Sequence, residues 1–188
     1  LKDDEAGLRD WRKKALIAID ALPAEKNYPI AEFEYQKDKF DAVIGYEKGA
    51  MMFYEIYKMM GDEHFFNVLK EFAAKYRGKK ATWRSIIRTF SKYSEDNEPD
   101  LPIKDVFNQW LYSTEIPHVS ISRVNVDNAN ATFSIKMSHK FNMEVPVLFT
   151  GNGNEKKEYF YLEDEYKEIT YNPGFNVEEI RIDPDYEV

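Results

Sequence analysis

Cysteine is absent from the 188 residues, which removes disulfides, thiolate metal sites and thiol nucleophiles together and leaves the compartment open. No apolar run approaches the roughly 20 residues that a helix needs to span a bilayer. Positive charge is in deficit: 26 Lys and Arg stand against 34 Asp and Glu, a formal charge of -8. That balance repels a phosphate backbone, whose binders displace counterions with clustered cations, so no nucleic-acid partner is expected. Internal repeats and low-complexity stretches are also missing. The opening at Leu1 is charged and amphipathic and lacks the basic and apolar regions of a secretion signal, so it reads as the cut edge of a longer chain. What is abundant is apolar material, 43% of residues with 15% aromatic, enough to bury a core and to argue against disorder.

The first 112 residues carry helical spacing. Leu8, Trp11, Ala15, Ile19 and Leu22 share one face, and Pro23 ends that pattern. After an irregular stretch through Pro29 and Tyr35, the run from Ala50 to Met60 is apolar nearly all round, as in a helix covered on several sides. Gly61 punctuates it and Asp62 can cap a second helix that lines up Phe65, Leu69, Phe72 and Tyr76 before Gly78, the two forming a hairpin. Thr82 is placed to cap a helix burying Trp83, Ile86, Ile87 and Phe90. Pro102 can open a last one burying Val106, Phe107, Trp110 and Leu111. The count is about five helices.

Near Pro117 the period changes from 3.6 to 2. Val119 and Ile121, Val124 and Val126, and Phe133, Ile135 and Met137 alternate. Short runs follow at 145–149, 159–162, 169–171 and 177–182. Turn residues separate them at Asp127-Asn128, at Gly151 to Asn154 and at Asn172-Pro173-Gly174. The expected architecture is α+β in two segregated domains: an all-α part over 1–116 and a small antiparallel, immunoglobulin-like β-sandwich over 117–188.

The segment Ile44-Gly45-Tyr46-Glu47-Lys48-Gly49-Ala50-Met51-Met52 resembles the Tyr-x-Lys-Gly motif of the M1 family of zinc aminopeptidases. Gly61-Asp62-Glu63-His64-Phe65-Phe66, Thr82-Trp83, the stretch Asp105 to Leu111 and Pro117 follow in that family's order and approximate spacing. Val145-Pro146-Val147 and the closing Ile180 to Asp185 are similar to the β-sandwich that follows the catalytic domain in many members. The resemblance covers roughly 29–188.

It implies a parent enzyme that trims N-terminal residues from peptides with a zinc held by an HExxH helix and a downstream glutamate. This chain has neither. Its histidines, His64, His118 and His139, are not spaced i, i+4, and the Gly-x-Met-Glu-Asn-type segment that binds the free N-terminus is missing as well. The implied zinc therefore belongs to the parent and none is bound by this fragment, which alone is expected to be inactive. Its partners are the missing N-terminal part of the same chain and, in the complete enzyme, a peptide substrate. By resemblance Tyr46 is the catalytic residue, a phenol that stabilises the oxyanion formed when water attacks the peptide carbonyl.

Other residues admit plainer readings. Gly45 and Gly49 suit close backbone approach or a turn; Lys48 either pairs with a carboxylate or stands in solvent. His64 lies in the first turn of a helix where Asp62 and Glu63 suit the dipole, and the methionines from Met51 to Met60 read as core. The acidic clusters at 95–98 and 163–165 lack EF-hand spacing, and Asn130-Ala131-Thr132 is a formal glycosylation sequon. Two other functions compete with the enzymatic one: a non-catalytic M1-like scaffold, and an independent protein-interaction module.

Overall fold

The computed structural model describes residues 5–188, so residues 1–4 of the expected helical part lie outside it. The chain forms two compact units, Ile17–Thr114 and the described part of Leu1–Leu16 with Glu115–Val188. Four helices longer than two turns occupy the N-terminal half: α1 (Glu5–Asp20), α3 (Gly49–Tyr76), α4 (Trp83–Asn97) and α5 (Ile103–Tyr112). A single turn, α2 (Lys39–Ala42), precedes α3. Six strands follow, in two small antiparallel sheets. The fold is α+β with its helical and sheet parts segregated along the chain.

In Ile17–Thr114 the core is apolar and aromatic. Met51, Met52, Ile56 and Met60 of α3 are buried with Phe90 of α4 and Val106, Phe107, Trp110 and Leu111 of α5. Phe90 and Phe107 meet edge to face at 5.4 Å, with Phe53 against both, the geometry aromatic quadrupoles favour. The break expected at Gly61 is present: that residue leaves helical geometry, with φ 72 and ψ 168, and α3 is two helical arms that meet there at a kink. The bend is sharp enough to bring the Tyr57 ring within 5.4 Å of Phe65. Eight residues of straight helix would rise about 12 Å.

The caps follow the residue chemistry. Thr82 accepts from the Ser85 amide and forms a reciprocal box with it, opening α4, and α5 begins directly after Pro102. The expectation of burial on α4 needs correction. On α4 only Phe90 of the expected four is fully buried, and Trp83, Ile86 and Ile87 are half-exposed; on the far arm of α3, Val68 is buried where Leu69, Phe72 and Tyr76 are partly open. On α4 the neighbouring α3 and α5 close over Phe90 and leave the rest of the stripe partly open.

In the other unit, β1 (Val119–Asp127), β2 (Asn130–Met137) and β5 (Tyr166–Tyr171) make one sheet in the order β1-β2-β5. Strands β3 (Met143–Gly151), β4 (Asn154–Leu162) and β6 (Glu179–Ile182) make the other in the order β4-β3-β6. The central strands bury alternate residues: Ala131, Phe133, Ile135 and Met137 on β2, and Met143, Val145, Val147 and Phe149 on β3. The Phe133 ring of the first sheet lies 5.8 Å from both Phe149 and Phe160 of the second.

β1 carries a β-bulge. Pairing shifts between Ser122 and Asn125, with Arg123 at φ 52, and Val124 and Val126 are left exposed on the edge strand. Asn152 and Gly153, both at positive φ, form the two-residue turn whose twist suits a hairpin. The first turns of α1 are tied to the C-terminal tail by Arg12, 3% exposed, whose Nε donates to the Asp185 carbonyl at 3.1 Å. Lys157 binds the same tail through Asp185 and Glu187. Burial opposes the Lys157 charge, but those hydrogen bonds prevail and raise its pKa above the usual lysine value.

Candidate active site

The Tyr46 motif stands on a scaffold built just before it. Pro23 and Pro29 each open a single 3₁₀ turn, Ala24–Lys26 and Ile30–Glu32, because their fixed φ suits a helix start and their missing N–H is not needed there. Asn27, Tyr28 and Phe33 are thereby carried to the motif. Asp38 caps α2, accepting from the Phe40 and Asp41 amides at 2.7 and 3.1 Å. Asp41 completes the box by accepting from the Lys37 and Asp38 amides, and its other oxygen takes the Tyr28 hydroxyl at 2.5 Å. This arrangement shifts both acids. The Tyr28 bond, then the Lys37 amide, hold the Asp41 carboxyl below its usual range. Burial and the Asp41 carboxylate push the Tyr28 phenol up to about 12.

From α2 the backbone passes into a π-helical turn, Val43–Lys48, and then into α3. A π turn carries more residues than an α turn, which re-aims side chains, and such turns recur at functional sites. Here it separates the motif into inward and outward residues. Ile44 is fully buried and Lys48 is 2% exposed, whereas Tyr46 is 56% exposed. The Tyr46 ring meets Phe33 edge to face at 5.7 Å, and its hydroxyl makes no hydrogen bond to any described residue. Gly45 is required by the same contact, since a Cβ there would lie inside the Phe33 ring's van der Waals shell. Gly49 is ordinary helix at φ -60 and ψ -41, with open space where a Cβ would go.

Of the two alternatives read from the sequence for Lys48, the solvated one is overturned. Lys48 is buried, and its ammonium donates to Asn27 Oδ1 at 2.6 Å and to the Thr114 carbonyl. One charged donor thus joins the π turn to the first 3₁₀ turn and to the end of the helical unit. Asp41, Tyr28, Phe33 and the buried pair Glu55 with Trp110, in which the indole N–H donates to the carboxylate, were not singled out by sequence reasoning. Glu55 had one visible signal, as the only carboxylate in the apolar run of α3. Tyr28 and Phe33 had none, because an irregular stretch shows no period.

His64 pairs with the Tyr93 hydroxyl at 3.3 Å and with Glu98 at 3.5 Å. Among the described residues no group of three or more His, Asp or Glu could hold a metal ion. The described residues therefore do not fit a catalytic zinc.

Comparison with known proteins agrees with this arrangement of elements. The profile described as the Peptidase family M1 domain matches residues 7–110, more than half of the chain, and the chain belongs to peptidase family M1. Among curated proteins no relative matches. Of the solved structures, the chain is similar to Legionella pneumophila aminopeptidase A in complex with aspartic acid, with a TM-score of 0.58 over 78% of this chain and 19% identity. At that identity the likeness is one of fold. The chain spans 17% of that protein's length.

Proposed function

We propose that this chain is part of a zinc aminopeptidase that hydrolyses N-terminal residues from peptides, and that it contributes the oxyanion-stabilising Tyr46 while the zinc ligands lie in sequence beyond these residues. The observation that carries this reading is the presentation of Tyr46. A phenol on a π turn, anchored by Lys48 beneath and by Phe33 alongside, offers an unengaged hydroxyl to an open surface within the region matched to the M1 domain. When water attacks a peptide carbonyl, negative charge gathers on the carbonyl oxygen. A donor already fixed in position gains strength as that charge grows and needs no reorganisation at the moment of reaction. The two sheets are, on this reading, the β-sandwich that follows the catalytic domain in many family members.

The division of labour has a direct test. The complete protein should cleave aminoacyl reporter substrates and lose that activity to a chelator, and the 188-residue chain alone should be silent. Chelator-sensitive turnover by the isolated chain would overturn the proposal, as would a complete protein that bears no metal-dependent peptidase activity.

A further inference from the structure

A groove of about 510 Å³ runs along the seam of α4 and α5. Its α4 wall includes the half-exposed Trp83 and Ile87. Its α5 wall is the row Lys104, Asn108 and Tyr112, spaced four residues apart so that they stand one above another on the helix. Tyr112, 65% exposed, and Trp83 supply aromatic surface, and four cations, Arg84, Arg88, Lys92 and Lys104, face a single carboxylate, Glu95.

In a chain with eight more acids than bases, three of those cations are without partners. Lys92 pairs with Asp96 at 3.2 Å, but Arg84, Arg88 and Lys104 make no ion pair or hydrogen bond with any described residue. The groove holds a second unsatisfied group. The Ser91 hydroxyl is the one buried side-chain polar atom among the described residues with no hydrogen-bond partner, and it lines the same groove. Exposed lysines and arginines are ordinary on a protein surface. Three unpaired cations and an orphaned hydroxyl converging on one concave, aromatic-flanked seam form a recognition surface for an anion.

We infer that the α4–α5 groove binds an acidic peptide segment of a partner protein, with Arg84, Arg88 and Lys104 taking its carboxylates. The Ser91 hydroxyl donates to one carboxylate, and Trp83 and Tyr112 cover an apolar or aromatic residue beside them. From Trp83 to Glu95 the helix rises about 18 Å, the length of roughly five extended residues. A peptide suits the site better than a nucleic acid, whose continuous phosphates would meet the chain's net negative charge beyond the groove. It also suits the site better than an anionic membrane, which presents a plane and not a ridge that fits between two helices. Planar guanidiniums can pair carboxylates two bonds at a time.

The test is fluorescence anisotropy of a labelled, N-acetylated and C-amidated pentapeptide, four glutamates around one tyrosine, titrated with the complete protein. The expected result is saturable binding that weakens as salt rises and falls about tenfold or more in R88E and, independently, in K104E. The two residues sit on different helices and are exposed, so circular dichroism should show both variants folded; if one is not, the other carries the test. Failure of the peptide to bind, equal binding of the lysine analogue, or unchanged affinity in a folded charge-reversal variant would overturn the inference. Tighter binding of inorganic phosphate, a single-stranded RNA or phosphatidylserine vesicles than of the peptide, lost in the same variants, would overturn it as well.

Discussion

Replacing glycine by alanine at two positions of α3 should change stability in opposite directions, although both sites have room for a methyl group. At both Gly49 and Gly61 an added Cβ meets nothing within 4 Å, so backbone conformation alone decides the outcome. Gly49 is helical at φ -60 and ψ -41. There alanine removes freedom from the unfolded chain and should stabilise by about 0.5–1 kcal/mol. Gly61 sits at φ 72 and ψ 168, a region open almost only to glycine, where alanine costs on the order of 1–3 kcal/mol. For a unit of this size each kcal/mol moves Tm by roughly 4–8 °C. The two variants should therefore separate by about 6 °C or more on either side of the parent in thermal unfolding followed by circular dichroism. Stabilisation by Gly61→Ala would mean that α3 can straighten there, and the account of the bend as a glycine-dependent break would fail.

Other expectations follow from the motif's foundations. Lys48→Met removes the donor shared by Asn27 and Thr114 and should cost about 1–3 kcal/mol in urea unfolding, because Met fills the space but leaves both acceptors to be rehydrated at the edge of the unit; an unchanged midpoint would contradict the anchoring role. The Tyr28–Asp41 bond makes stability fall at both pH extremes. Asp41, with a lowered pKa, contributes stability above about pH 3.9 that is lost as pH falls through its folded value. Tyr28, raised to about 12, contributes stability that is complete below about pH 10 and lost as pH climbs past that value. Ultraviolet titration should find one tyrosine ionising near 12 that shifts down in Asp41→Asn, and no such shift would refute the pairing.

Sequence pattern carried most of the architecture because the signals were local. Alternation placed the strands, and the bulge at Arg123, which the alternation was not read to contain, came only with the pairing. The turn at Asn152-Gly153 and the caps at Thr82 and Pro102 were legible for the same reason: one residue's chemistry fixes one geometry. What the sequence hid was long-range. Lys48 reads as a surface lysine until Thr114, 66 residues away, supplies its carbonyl. Arg12 meets Asp185 from 173 residues away. The partial exposure of Trp83 depends on how much of α4 its neighbours cover, which no helical period records. The π turn under Tyr46 was likewise invisible, since its six residues still look like helix.

The central claim is that Tyr46 is aimed at reaction chemistry and not at packing. The most direct measurement is steady-state kinetics of Tyr46→Phe in the complete enzyme, with zinc content and thermal stability checked alongside. The account predicts kcat reduced by about 10²–10³, corresponding to about 2.7–4 kcal/mol of lost transition-state stabilisation, with KM and folding little changed. Turnover equal to the parent's, in a folded variant of the same zinc content, would contradict it.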